Sequence, residues 1–394
     1  MKKLLLATAA GALLAGAASA EEIKLGVIMG FTGPIESLTP AMAAGGELAM
    51  KEVSESGKLL GGSTVVPVRG DSTCVDAGAA TAAAERLITS DGVKGIVGAD
   101  CSGVTGAILS NVAMPNGVVM ISPSATSPAL SNAEDNGVFF RTSPSDARQG
   151  QVMADVLMEK GFKSAAITYT NNDYGKGLAD SIAAAFKEKG GEVTAVTAHE
   201  DGKADYSAEV GALASAGGDI LIVAGYVDQG GPGIIRAALD TGAFDTFALP
   251  DGMIGAALEA NFGDEIEGSV GTVPGGEATN TDMIVKMIMS DSYDSSGPYI
   301  GESYDAAALI MLAMQAAGSS DPQVYKDKVM DVANAPGEKI NTGELAKGLE
   351  ILAAGGEIDY VGATAVELIG GGEAAGGYRE IVIEGGKITT AQFR

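Results

Sequence analysis

Gly95-Ile96-Val97-Gly98 and Gly117-Val118-Val119-Met120-Ile121, separated by a helix-compatible stretch from about 103 to 111, carry the reading of the fold. Both apolar runs are short and continuous rather than alternating, the pattern of strands buried on both faces. A helix between two such strands crosses over the sheet, so the strands lie parallel with helices covering them.

The same rhythm extends outward. Residues 23–29 read as a buried strand, and Ile35, Leu38, Met42, Ala49 and Val53 follow at spacings that share one helical face. Residues 64–68 predict a second strand, with Pro67 pointing to a sheet edge. An Ala-rich helix is expected over 77–88. The rhythm breaks between 122 and 148, where Pro123, Pro128 and Pro144 sit among serines and threonines. It restarts with strands at 165–169, 193–197, 219–224 and 246–249, and with helices marked by Leu178, Ile182 and Phe186 and by residues 234–239. Two successive α/β units result, joined near 140–146. Helices are then expected at 283–289, 306–317, 324–332 and 345–352, and a hairpin around Gly385-Gly386.

The first twenty residues have the order of an export signal. Lys2 and Lys3 precede an apolar run over 4–16, and Ala18-Ser19-Ala20 is a small-x-small cleavage site. The run is too short to span a bilayer. Cleavage after Ala20 leaves about 374 residues, more than one compact core usually holds, so two domains are expected. It also leaves 23 basic against 51 acidic side chains, a net charge of −28, which repels nucleic acid. Export places Cys74 and Cys101, the two cysteines of the chain, in an oxidising compartment where a pair bridges.

Enzyme templates fail in turn. The sequence has no G-x-x-x-x-G-K-[ST] phosphate loop, no G-x-G-x-x-G after the first strand and no G-x-S-x-G elbow. His199 is the single histidine; beside Glu200 and Asp201 it is expected on the solvated surface. Zinc clusters are missing, and no catalytic residue, cofactor or metal is expected. What remains is a set of strand-end loops. Cys101-Ser102-Gly103 and Ser122-Pro123-Ser124-Ala125-Thr126-Ser127 follow consecutive strands of the first unit. Helix N-terminal N–H groups and hydroxyls there can hold a carboxylate without a full positive charge, although Ser102 can equally serve as a helix cap and the other hydroxyls as loop partners. In the second unit Tyr174, Tyr226 and Asp251 stand past their strands. Two such lobes facing each other form a cleft that closes over a ligand.

Several segments in this order resemble the branched-chain amino acid binding proteins, a family with the type I periplasmic binding fold that serves ABC transporters. They are Ile23-Lys24-Leu25-Gly26 with Thr32-Gly33-Pro34, Gly98-Ala99-Asp100-Cys101-Ser102, Ile121-Ser122-Pro123-Ser124-Ala125-Thr126-Ser127-Pro128, Phe140-Arg141-Thr142-Ser143, Asp173-Tyr174-Gly175-Lys176-Gly177-Leu178, Gly225-Tyr226 and Ser303-Tyr304-Asp305-Ala306-Ala307. The likeness runs from about 23 to 304 and weakens beyond. It implies two doubly wound parallel-sheet lobes joined by three crossovers, with residues 21–141 and 273–361 in one lobe and 142–272 and 362–394 in the other. The three crossovers are expected near 140–146, 268–274 and 358–365.

The resemblance also implies roles. Ser102 and Thr126, with the backbone at Ser124, match the ligand-carboxylate site; Tyr174 and Tyr226 match aromatic positions near the ligand backbone; Tyr299 matches an aromatic wall. Asp251 matches the acid that pairs the ligand ammonium, where the family typically has glutamate, and Glu302 or Asp305 is the alternative acid. Leu38 stands where an aromatic often covers the ligand side chain. Cys74 and Cys101 match the family's bridge. The implied ligand is a branched-chain or other neutral amino acid, with an amide, a γ-amino acid or an aromatic acid as the alternative, or a sensing role beside a membrane receptor. The implied setting is the periplasm, and the partner is an inner-membrane ABC permease, served by a monomer.

Overall fold

A computed structural model describes residues 20–277, 284 and 297–394. The export segment, up to residue 19, and the helix expected at 283–289, apart from Ile284, lie outside them. The first sheet is built from β1 (Glu22–Met29), β2 (Thr64–Asp71), β3 (Ile96–Gly98), β4 (Met120–Ser122) and β5 (Phe139–Arg141), all parallel to their neighbours. Helices α1 (Thr39–Ser56), α2 (Ala77–Arg86) and α3 (Ser102–Ile108) connect them. Helix α4 (Asp146–Lys160) then leads into the second sheet, formed by β6 (Ser164–Thr170), β7 (Glu192–His199), β8 (Ile220–Ala224), β9 (Phe247–Pro250) and β10 (Val270–Pro274). Its helices include α5 (Asp173–Glu188), α6 (Ser207–Ala216) and α7 (Gly231–Thr241). The near-uniform burial of β3, β4, β8, β9 and β10 explains their continuous apolar sequences. Strand β2 lies at the sheet edge, where Pro67 costs no ladder bond.

After β10 the chain returns to the first lobe as α8 (Ile300–Ala317), whose residues 300–315 are all buried. It packs on α1 at very short range. A Cβ on Gly45 would stand 2.3 Å from the Ile300 carbonyl oxygen, so only glycine admits this approach. The contact fixes the start of α8, and hence Tyr299, relative to the Leu38 end of α1. The chain continues through α9 (Leu345–Ala353) and a parallel pair, β11 (Glu338–Asn341) and β12 (Ile358–Gly362).

The third crossover lies later than the expected 358–365. Strands β13 (Leu368–Ile369) and β14 (Glu373–Ala374) still belong to the first sheet, where Glu373 pairs in register with Arg141. The reason is the buried guanidinium of Arg141. It donates to the carbonyls of Ala125 and Ser127, both at 2.9 Å, and its second nitrogen reaches Glu373 Oε2 at 2.5 Å. A buried charge left without that partner is costly, which holds 362–374 against the first lobe. The chain crosses only at 375–377, into the hairpin β15 (Tyr378–Glu384) and β16 (Lys387–Phe393) that extends the second sheet. Among the described residues no helix is long and apolar enough to cross a membrane.

Candidate ligand-binding cleft

The first sheet runs in the order β13-β14-β5-β4-β3-β1-β2 and the second β16-β15-β10-β9-β8-β6-β7. The chain therefore reverses its winding between β1 and β3 in one, and between β6 and β8 in the other. Crevices open beyond the carboxyl ends of strands at such points, and here the two crevices face each other. Between them is a small cavity. Its walls come from the loop after β1 with the start of α1 (Ile35, Leu38, Met42), the loop after β3 (Asp100, Cys101, Ser102), Ser124 after β4, Tyr174, Tyr226 and Asp251 after β6, β8 and β9, and Tyr299 before α8.

On the first-lobe side the polar groups are organised around the start of α3. The Cys74–Cys101 disulfide, with Cα atoms 5.2 Å apart, ties the loop after β2 to that start. Ser102 Oγ accepts from the Ser127 amide at 3.1 Å, and Ser124 Oγ donates to the Asp100 carbonyl at 3.0 Å. The Asp100 carboxylate accepts from the Gly30 amide at 2.6 Å and from Ser72 Oγ at 2.9 Å. Burial pushes its pKa up, against those hydrogen bonds. Asp100 thus holds the β1, β2 and β3 loops together.

The second-lobe side is aromatic and acidic. Tyr174 and Tyr226 stack with ring centroids 5.3 Å apart. Tyr174 Oη lies 3.4 Å from Asp251 Oδ1 and accepts from the Gly252 amide at 3.2 Å. Tyr226 Oη accepts from Asn172 at 3.2 Å. Tyr299, from the first lobe, donates across the cleft to Asp251 Oδ2 at 2.7 Å. Asp251 is buried, and desolvation raises its pKa, while hydrogen bonds from Tyr299 and Tyr174 draw it back down. The lobes also touch at the cleft mouth: Ser37 N donates to Asp228 Oδ2 at 2.8 Å and Asp228 N to the Pro34 carbonyl at 3.1 Å.

Of the residues singled out in the sequence, Leu38, Ser102, Ser124, Tyr174, Tyr226, Asp251 and Tyr299 meet at this cavity. Thr126 is buried but stands behind the wall, its hydroxyl beside the Asp146 carboxyl. Asp305 is not free for a ligand, because it accepts from Tyr360 at 2.7 Å, the Ala363 amide at 2.8 Å and Thr364 Oγ1 at 2.6 Å. Glu302 lines a different cavity, among the interlobe connections at Thr142, Pro144, Pro274 and Gly376. His199 is buried rather than solvated: its Nδ1 is 2.8 Å from Thr168 Oγ1 on the neighbouring strand, and burial lowers its pKa to about 4. Wall residues that escaped the sequence reading include Asp100, Ile35 and Met42. Asp100 was detectable as the acid immediately following a buried strand; the two apolar ones looked like ordinary helix packing.

A periplasmic binding protein family profile matches residues 22–337. The chain belongs to the periplasmic binding protein family. It is 30% identical over 345 residues to a Leu/Ile/Val-binding protein homolog of Brucella melitensis, spanning 86% of this chain and 88% of that one. Its fold is similar to a leucine-binding protein of Thermotoga maritima, with a TM-score of 0.77 at 22% identity, covering 94% of this chain and 98% of the other. It is also similar, with a TM-score of 0.73 at 19% identity over 94% and 96%, to an ABC-transporter solute-binding protein of R. palustris in complex with benzoate. The chain is a solute-binding protein and not an enzyme.

Proposed function

We propose that this protein captures a branched-chain or other neutral amino acid by closure of its two lobes, in the periplasm, and delivers it as a monomer to an inner-membrane ABC permease, after removal of residues 1–20. The observation that carries the ligand class is the cavity lining itself: among the described residues it includes the acids Asp100 and Asp251 and no lysine, arginine or histidine. A buried carboxylate with no basic side chain on the cavity wall favours a ligand that brings its own cation. Ser102, Ser124 and the backbone at the start of α3 take the ligand carboxylate, with Thr126 supporting that loop from behind. Asp251 takes the ammonium, flanked by Tyr174, Tyr226 and Tyr299. Ile35, Leu38 and Met42 receive an aliphatic side chain.

A ligand that binds only the folded form stabilises it by about 2.7 kcal/mol at a hundred times its Kd. Leucine, isoleucine or valine should therefore raise the melting temperature, and native mass spectrometry should show one amino acid per chain. A panel silent for all amino acids but positive for benzoate or 4-hydroxybenzoate refutes the amino-acid reading. Asp251→Ala should abolish amino-acid binding while the protein remains folded; unchanged affinity removes Asp251 from the site.

A further inference from the structure

Glu302 stands in the first turn of α8, shortly after Tyr299, and is buried. It lines a small cavity whose other walls include parts of all three interlobe connections: Thr142 and Pro144 from the first, Pro274 and Gly275 from the second, Gly376 and Gly377 from the third. Among the described residues it is the one titratable side chain of that lining. The connections are tied to this turn and to one another. Thr142 Oγ1 donates to the Glu302 carbonyl at 2.7 Å, and the Gly275 amide donates to the Gly377 carbonyl at 3.0 Å. A Cβ on Gly376 would stand 2.7 Å from Pro144 Cγ, so the third connection lies directly on the first. Lobe rotation is absorbed by backbone angles in connections of this kind, so the cavity cannot keep its shape when the cleft opens. The same helical turn, closed by the Ser303 amide donating to the Tyr299 carbonyl at 3.0 Å, carries Tyr299 to Asp251. The packing around Glu302 and the contact across the cleft are thus two ends of one rigid turn.

We propose that Glu302 is a positioning residue of lobe closure: its carboxyl takes a proton from solvent when the three connections close around it and returns that proton when they part. This rests on closure of the cleft over a solute, and not on which solute is bound. In the closed form an O–H bond forms on the carboxyl, which keeps a charge out of a cavity that shields it from water. The groups that face Glu302 decide how firmly. Burial weighs most and raises its pKa; its own amide draws the pKa down, Asp305 one turn along α8 pushes it up, and Arg379 on β15, beside Gly275, draws it down. Arg141, next to Thr142, is committed to Ala125, Ser127, Ser131 and Glu373. The balance raises the pKa from 4.5 to about 8. When the connections part, water reaches the carboxyl and the pKa falls back toward its ordinary range. Between those two values the closed form holds a proton that the open form does not. The contribution of Glu302 to closure is therefore fully present below the ordinary carboxylate pKa and is lost as pH rises through the raised one.

The test is isothermal titration calorimetry of the full mature protein at pH 7, in buffers of different ionisation enthalpy, which counts protons directly. L-leucine is the probe, with benzoate used if leucine gives no heat. The wild type should take up close to one proton more per bound probe than Glu302→Gln, which has the shape of the protonated acid and cannot titrate. From pH 5 to pH 8 the affinity of the wild type should fall relative to that variant by up to about tenfold per pH unit. Glu302→Ala should lose the proton uptake as Glu302→Gln does, and Glu302→Asp, which keeps a titrating carboxyl, should restore part of it. A residue that only fills space would leave the proton count unmoved in all of them. Probe binding with equal proton counts in the wild type and Glu302→Gln overturns this proposal alone. Benzoate binding with leucine silent overturns the amino-acid reading, and the proton count with benzoate then decides this one. Failure of both probes overturns the reading of the cleft and this proposal with it.

Discussion

Replacing Gly177 with alanine puts a methyl group where the two lobes meet. Gly177 lies on α5 in the second lobe; Ser127 and Pro128 follow β4 in the first. The added Cβ would stand 2.9 Å from Pro128 Cδ and 3.2 Å from Ser127 Oγ. The serine hydroxyl can rotate away, but the ring carbon is tied to the backbone, so the lobes must part slightly. Overpacking of this kind costs about 1–3 kcal/mol, and at a cleft rim that can relax the lower part of the range, about 1–2 kcal/mol, applies. The same change favours the helix by roughly 0.5–1 kcal/mol whether the cleft is open or closed. The two effects have opposite signs. The ligand-free protein should melt slightly higher, while amino-acid affinity falls by about 5- to 30-fold, as read by calorimetry. Gly211→Ala on α6 is the control, because a Cβ there meets nothing within 4 Å; it should raise the melting temperature and leave affinity unchanged. A Gly177→Ala variant that binds within twofold of the wild type refutes the closure geometry.

Leu38→Ala removes apolar area from the cavity wall and should weaken leucine binding by about tenfold, with a much smaller effect on alanine, by calorimetry. The Cys74–Cys101 bridge spans a sequence separation of 27; its replacement by two serines should cost about 3–4 kcal/mol in denaturant unfolding. Glu302 has its pKa raised from 4.5 to about 8 by burial. Between those values the folded state binds the extra proton, so this residue makes stability fall as pH rises from about 4.5 to 8. Glu302→Gln should flatten that decline and melt above the wild type at pH 8; identical pH profiles of the two proteins count against it.

Sequence periodicity sufficed for β1, β3, β4, β8 and β9 because strands largely buried on both faces have few polar residues to blur the pattern. The hydroxyl loops and the tyrosines were legible because they follow those strands directly. The failures have a common cause, which is that tertiary partners decided them. Asp146 reads like any acid favoured in the first turn of a helix, and only the structure shows that it is fully buried. His199 sits among acids in sequence, yet β7 turns it inward to Thr168. The short β13–β14 ribbon carries too few residues for a strand pattern, and it is held by Arg141, over 200 residues earlier in the chain.

Tyr299 belongs to one lobe and Asp251 to the other, and they are joined by a 2.7 Å hydrogen bond. The bond exists only while the lobes are together, so phenol and carboxylate act as a clasp across the cleft. Breaking it is part of every opening, and its strength therefore enters the rate at which the cleft lets go of what it holds.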